Sequence, residues 1–537
     1  MDEFDTIVIG GGSAGCVVAS RLSEDPQTNV ALLEAGGPGD SWVVNTPFAG
    51  ALMVPSSLNN WAFETVPQKG LGGRRGYQPR GKALGGSSAI NAMVYIRGTP
   101  GDYESWARQG ARGWSWADVL PYFIKSEANE DFAGPLHGAD GPLNVANSRT
   151  DNPFHAIFVE AARQANFLVR DDFNGDEQDG CGLYQLTQKN GERWSAARAY
   201  LQPIMGRRAN LRVECGARAR RILFDGRRAV GVEYEQGGVV RTLRARREVV
   251  VSAGALQSPQ ILMLSGIGPA DDARRLGIEP VLDLPGVGEN LQDHPDFVFG
   301  YTARSLDLAG ITPRGGVRLL REVARYRRER RGMITSNFAE AGGFLKTRPD
   351  FAEPDIQLHF VIALVEDHAR KLRLAHGYSC HFCLLRPRSR GALRLSDSDP
   401  ASAPLIDPDF LGDDRDVEDM VAGFKVTRRL LDAPAFAAIR KRDLYTADVR
   451  SDDDIRAILR RRVDTVYHPV GTCRMGEDSG AVVDSRLRVR GVQGLRVADA
   501  SIMPTLIGGN TNAPTIMIGE KAADMIRADA RECAAVS

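Results

Sequence analysis

The sequence predicts a mixed α/β protein: a parallel, doubly wound β-α-β domain interrupted by a discontinuous second domain built on an antiparallel sheet with helices. Three observations predict it. The chain has 537 residues, 43% of them apolar, too many for one simple core and suited to two closely packed domains. Three stretches read as a β-branched strand, a glycine turn and a helix. Between the second and third of these, strands such as "DIQLHFVIALV" and "SCHFCLLRP" alternate with helical stretches.

The first unit opens the chain. Thr6 to Ile9 form a β-branched run leading into Gly10, Gly12 and Gly15 of "GGGSAG", and a helical stretch follows. Gly10 makes the tight turn, Gly12 lets the backbone approach a pyrophosphate, and Gly15 permits close packing of helix on strand. Ser13 and Ala14 lie between them, at the helix start, whose positive end suits a diphosphate. A second strand, "NVALLEAGG", ends at Glu34 and Ala35. An acid at that point accepts hydrogen bonds from ribose hydroxyls and repels a 2′-phosphate. Strand, turn, helix, second strand and acid in this order predict a Rossmann-like domain for an adenine dinucleotide. FAD and NAD are not separated at this stage.

The second unit, "VVVSAGALQSPQILMLSGIGP", follows "DG" and "GG" hairpin signals between alternating runs. These predict a small antiparallel sheet inserted into the parallel one. The third, "GLRVADASIMPTLIGGNTNAPTIMIGEKAADMIRADA", delivers Asp499 and Ala500 at the carboxyl end of a strand, where ligands of open α/β sheets bind. The expected division is residues 1–143, 200–295 and 461–537 for the dinucleotide domain, with 144–199 and 296–460 for the second domain.

Lys plus Arg and Asp plus Glu both number 68, so no global field points to nucleic acid, and a small-molecule partner is expected. The N-terminus is acidic and runs straight into a strand without a signal-peptide pattern, which predicts a cytosolic chain. No apolar run is long enough for a spanning helix. Seven scattered cysteines, Cys533 among them, read as free thiols, and Cys380 and Cys383 of "CHFC" fall on opposite faces of a strand. The segment from Arg314 to Gly332 carries eight arginines around Leu319, Leu320, Val323 and Tyr326. It reads either as a solvated helix packed on the second domain or as a peripheral contact with the inner face of the cytoplasmic membrane.

"GKALGGSSAINAMVYIRGTPGDYE", "GALQSPQILMLSGIG", "LPGVGENLQDHP", "YHPVGTCRMG" and "VADASIMP" together resemble the glucose-methanol-choline oxidoreductases, flavoproteins that oxidise alcohols. The likeness spans nearly the whole chain and is strongest to the alcohol dehydrogenases of alkane-oxidising bacteria. It implies FAD as cofactor and a primary aliphatic or aromatic alcohol as substrate, with a quinone or other acceptor taking the electrons. It brings Gly86, Asn91, Ala92, Met93 and Val94 near the isoalloxazine and the backbone of Ala219 to the adenine. Some members carry a histidine bonded covalently to FAD where this chain has Ile90, so the cofactor is expected to be non-covalent.

Alcohol oxidation removes a hydroxyl proton and a hydride, and a histidine suits the proton because its ordinary pKa of about 6.5 lies near working pH. His468 occupies the family's base position. Asn512, forty-four residues on, is expected to donate to the alkoxide-like oxygen. Val466 and Tyr467 neighbour the base, and Glu340 of "AEAGGF" reads either as a contact to substrate or as an acid hydrogen-bonded at a domain junction. His294 of "LQDHP" reads as structural, and His359 as a ring alternating with apolar neighbours on a strand. No clustered metal ligands appear, and no serine elbow of hydrolase type. Three other readings stay open: an alcohol oxidase using dioxygen, a choline dehydrogenase, and a flavin-binding protein without redox turnover.

Overall fold

A computed structural model describes residues 2–371 and 373–536, with side chains up to Glu532. Along the chain, β1 (Asp2–Ile9), α1 (Ser13–Leu22) and β2 (Val30–Glu34) form the first β-α-β unit. A short β3 (Gly180–Leu183) precedes β4 (Leu211–Cys215), β5 (Ala217–Asp225), β6 (Arg228–Gln236), β7 (Val239–Val251) and α2 (Gly254–Leu264). Then come β8 (Pro295–Ala303), α3 (Pro313–Glu329), β9 (Ala341–Leu345), β10 (Ile356–Val361), β11 (Gly377–Leu384) and α4 (Asp414–Leu431). The chain ends with β12 (Arg440–Asp443), α5 (Asp452–Arg462), β13 (Asp464–Thr465), β14 (Leu495–Val497) and α6 (Asn512–Val536).

The first sheet has the order β4-β2-β1-β7-β6-β5, with β14 also on β7. Ile7, Val8, Ile9 and the whole of β2 are buried, as a near-continuous apolar run requires when both faces of a parallel sheet are covered. The hairpin insert does not form a separate sheet. The 13 residues of β7 extend about 43 Å at about 3.3 Å per residue, enough for two sets of partners. Its first half pairs antiparallel with β6, and Val249 to Val251 pair parallel with β14.

α1 packs between this sheet and α6. Gly519 of α6 lies so close that an added Cβ would stand 2.9 Å from the Ala14 carbonyl oxygen. Fully buried Glu520 pairs with Arg21 at 2.8 Å and accepts from the Tyr200 hydroxyl at 2.8 Å. The carboxylate is tolerated there because it is both paired and hydrogen-bonded.

The second sheet, β12-β8-β11-β10-β9-β3, is antiparallel throughout, and β13 adds to β8. On its outer face Phe297, Phe299 and Phe382 meet Phe424 of α4. Cys380 joins that outer core, while Cys383 joins Phe344, Met93 and Val94 on the inner face, so the two thiols do point apart. Six cysteines are free thiols, and the side chain of Cys533 lies outside the described residues. No described helix is long and apolar enough to cross a membrane.

Residues Asp464 and Thr465, expected with the dinucleotide domain, instead pair with β8 in the second sheet. The chain therefore passes from that sheet directly into the stretch around His468.

Gly15 shows how tightly the first unit is built: an added Cβ would stand 1.9 Å from the Gly10 carbonyl oxygen. Gly15→Ala is expected to destabilise at the upper end of the about 1–3 kcal/mol usual for overpacking. Gly37→Ala is the control, since its added Cβ meets nothing within 4 Å. Calorimetric melting of both variants checks this, with only the first lowering the midpoint.

Candidate active site

One cavity of about 430 Å³ runs between the two sheets. Gly10, Gly12, Ser13 and Ala14 line one end with Glu34 and Ala35, and Ala219 of β5 borders the same region. Gly86, Asn91, Ala92, Met93 and Val94 line its middle, and Asp499 and Ala500 lie across from them. Val466, Tyr467, His468 and Asn512 complete the wall. Gly15 sits behind the turn as packing, and Glu340 is not on the cavity.

The cradle is made of backbone. Gly10 has φ +97°, and an added Cβ would stand 2.6 Å from the Ser252 carbonyl oxygen. A Cβ on Gly86, at φ +53°, would meet the Gly12 Cα at 2.7 Å. Gly12 caps α1 without a side-chain hydrogen bond, which leaves the first N–H groups for an anion. The turn therefore fits a diphosphate. Glu34 ends β2 beside it, accepting from the backbone N–H of Gly11 at 2.9 Å and of Gly36 at 2.7 Å. Burial pushes its carboxyl up to about 7, against those two hydrogen bonds and the charge of Lys82.

Asp499 spends its side chain on structure. Its oxygens accept from the N–H of Gly254 at 2.9 Å, the N–H of Ser501 at 2.8 Å and the Ser258 hydroxyl, binding the end of β14 to the start of α2. Met93 holds φ +61°, an unusual conformation for a side chain of its size. The Asn91 side chain braces it by accepting from the Met93 N–H at 3.0 Å, while Arg193 donates to that same oxygen at 2.8 Å.

At the other end the chain leaves β13 through Tyr467, at φ +75°, and arrives at buried His468. Asp293 accepts from the His468 N–H at 2.9 Å and from the Thr465 hydroxyl at 2.6 Å, and Arg80 donates to the Tyr467 carbonyl at 2.8 Å. The Tyr467 hydroxyl reaches His368 Nδ1 at 2.6 Å. Burial, with the nearby His294, His359 and Arg80, holds the His468 ring well below its usual pKa and therefore neutral.

The amide that meets His468 lies two positions before the expected one. Asn510 Nδ2, not Asn512, lies 3.1 Å from His468 Nε2. The Asn510 oxygen accepts from Gln357 Nε2 of β10 at 2.9 Å, which turns the amide nitrogen toward the histidine. Asn512 is the first residue of α6, and its oxygen accepts from the Ser13 hydroxyl at 2.8 Å, so it faces the diphosphate turn.

Two histidines read as bystanders belong to the site. His294 Nδ1 lies 3.0 Å from His468 Nδ1. His359 lines the cavity with no well-aligned hydrogen bond to either ring nitrogen, and burial drives its pKa to about 3, against a small upward pull from Asn510. The "LQDHP" motif and the period-2 alternation of β10 were the available signals, and neither says what stands opposite.

Of the two readings of Glu340, the structure shows the hydrogen-bonded one and keeps the side chain off the cavity. Fully enclosed, it pairs with His155 at 2.7 Å and accepts from Ser148 at 2.7 Å and from Thr150. Burial pushes its carboxyl up, but His155, Ser336 and Thr150 outweigh that and hold it below the usual range. A carboxyl with a depressed folded pKa stabilises above its unfolded value and loses that contribution as pH falls. Glu340→Ala is accordingly expected to cost about 3–5 kcal/mol near pH 7, shrinking through the acid carboxylate range, with alcohol affinity unchanged. Melting against pH, with substrate binding measured in parallel, checks it.

Two family profiles, both described as GMC oxidoreductase, match residues 4–296 and 387–519. The chain is 46% identical over 531 residues to an alcohol dehydrogenase [acceptor] of Pseudomonas putida, covering 97% of this chain and 95% of that protein. It is 44% identical over 540 residues to the mitochondrial choline dehydrogenase of Homo sapiens, covering 98% and 90%. The crystal structure of pyridoxine 4-oxidase from Mesorbium loti superposes with a TM-score of 0.88 at 31% identity, covering 98% of this chain and 99% of that one. With the glycine cradle, the paired sheets and the histidine-lined cavity in place, these matches make the chain a member of the GMC oxidoreductases, a family of FAD-dependent enzymes.

Proposed function

We propose that this GMC oxidoreductase oxidises primary alcohols to aldehydes and passes the electrons to a quinone or another acceptor. The observation that carries the reading is the pairing of a neutral, buried His468 with an oriented Asn510 amide on the cavity wall. FAD, when bound, supplies the hydride acceptor. Gly10, Gly12, Ser13 and Ala14 would hold its diphosphate, Glu34 and Ala35 its ribose, and the backbone at Ala219 its adenine. Gly86 and Asn91 to Val94 would line the flavin, with Asp499 and Ala500 opposite. Ile90 presents no nucleophile, which supports a dissociable cofactor. On this reading the two sheets divide the labour, the first holding cofactor and the second walling the substrate space.

His468 takes the hydroxyl proton at Nε2, and Asn510 Nδ2 donates to the oxygen as negative charge develops there. Among the described residues, the carboxylates lining the cavity are Glu34 and Asp499, both on the cofactor side. Val361, Leu364, Phe338 and Val466 supply an apolar wall instead. With no carboxylate on that side, the wall suits an alkyl or aryl chain, while the aromatic Phe338 and Tyr467 make a quaternary ammonium the alternative to test.

His468→Ala is expected to keep FAD and lose about 10²–10⁴-fold in the rate of anaerobic flavin reduction by alcohol. Because His468 titrates well below 6.5, the parent rate is expected not to fall as pH drops through that value. Stopped-flow absorbance with primary, secondary, aromatic and choline-type alcohols checks both, and parent-like reduction by the variant overturns the assignment. Fast reoxidation in air with peroxide release favours the oxidase, and absence of bleaching with any alcohol the non-redox reading.

On α3, Val317 and Leu320 are 54% and 73% exposed among the exposed arginines Arg314, Arg321 and Arg327. That combination supports peripheral contact with an anionic membrane. Co-sedimentation with phosphatidylglycerol vesicles is expected for the parent and reduced for the Val317→Ser, Leu320→Ser double variant, while equal binding by both counts against it.

A further inference from the structure

His294 lies beneath the base rather than on the cavity, wholly buried at the start of β8. Its Nε2 is 3.0 Å from the Leu385 carbonyl oxygen and 3.1 Å from that of Ile507. Carbonyl oxygens only accept, so this nitrogen carries the proton. Burial lowers the ring to about pKa 4, so it is neutral and its Nδ1 is bare. His468 Nδ1 stands 3.0 Å from that bare nitrogen and must supply the proton between them. In a neutral ring the other nitrogen, His468 Nε2, then holds the lone pair, and Asn510 Nδ2 donates to it at 3.1 Å. A single assignment of protons satisfies every contact from the Leu385 and Ile507 carbonyls through to the Asn510 amide.

The geometry points to His294 as a positioning residue that holds His468 in its Nδ1–H tautomer, leaving Nε2 unprotonated on the cavity side, where alcohol would take the place of the Asn510 contact. This rests on the reading of His468 as the proton acceptor. With the opposite tautomer, Nε2–H would be turned on a hydroxyl from which no proton could be taken. The two rings stand at 90° with centroids 5.2 Å apart, so the shared hydrogen bond lies in both ring planes and restricts rotation of His468 as well. The same carboxylate, Asp293, accepts the backbone N–H of both histidines at 2.9 Å, which fixes their spacing.

The test uses the FAD-loaded full chain. In His294→Leu the acceptor opposite His468 Nδ1–H is gone, and the rate of flavin reduction at saturating alcohol is expected to fall by at least about tenfold, a fraction of the full base contribution. Substrate affinity and the flavin absorption spectrum are expected to remain. His294→Asn places an amide oxygen near the Nδ1 position and is expected to restore most of the rate, whereas equal loss in both variants assigns His294 a packing role and overturns the proposal. In the parent, ¹⁵N shifts of histidine-labelled protein are expected to show a protonated Nδ1 and a bare Nε2 on His468, assigned by comparison with His468→Ala. The reverse pattern overturns the proposal even where a His294 variant fails to fold. Parent-like turnover in His468→Ala would instead sink the base reading itself.

Discussion

A single buried carboxylate holds the chain segments around His468 in register. Asp293 accepts from the backbone N–H of His294 and of His468, from the Thr465 hydroxyl and from Gln78. It joins the loop entering β8 to the loop leaving β13, and both run into the active cavity. Burial raises its pKa to about 6, and the donors around it together with Arg80 work against that cost. A carboxylate so surrounded is better at fixing geometry than at adding stability, since its desolvation consumes most of what the hydrogen bonds return. The position of His468 depends on it.

From that point the cavity divides by the kind of chemistry its walls perform. The dinucleotide end is mostly backbone: glycines that bring main chain close, and a helix whose first N–H groups are uncapped by side chains. The end around His468 consists of side chains oriented by other side chains. Gln357 turns Asn510, Asn510 and His294 address opposite nitrogens of His468, and carbonyls of residues 385 and 507 orient His294. Such a chain keeps each donor facing one acceptor in a dry interior, where an unpaired group would cost about 1–3 kcal/mol.

How much of this was legible in the sequence differs between the two ends. The glycine turn could be read residue by residue because its requirement is local: only a residue without Cβ fits at Gly10 and Gly15, and the turn, helix and following acid lie within one short unit. The opposite faces of Cys380 and Cys383 followed from the period of a strand. Asn510 and Asn512 are two residues apart in the same loop, and their order of use hinged on where α6 begins and on Gln357, more than 150 positions away in the chain. Glu340 resembled a substrate-facing acid until Ser148, Thr150 and His155 were found around it.

Sequence alone was enough for the class of fold, the family and its cofactor, and it singled out the stretch around His468, because each rests on short-range patterns or on motifs spread in fixed order. Which amide faces His468, which histidine meets its other nitrogen and which carboxylate is enclosed came from the folded arrangement. Those properties belong to pairs of groups brought together by the meeting of two sheets, and hydrogen-bond direction between distant residues leaves no trace in spacing along one chain.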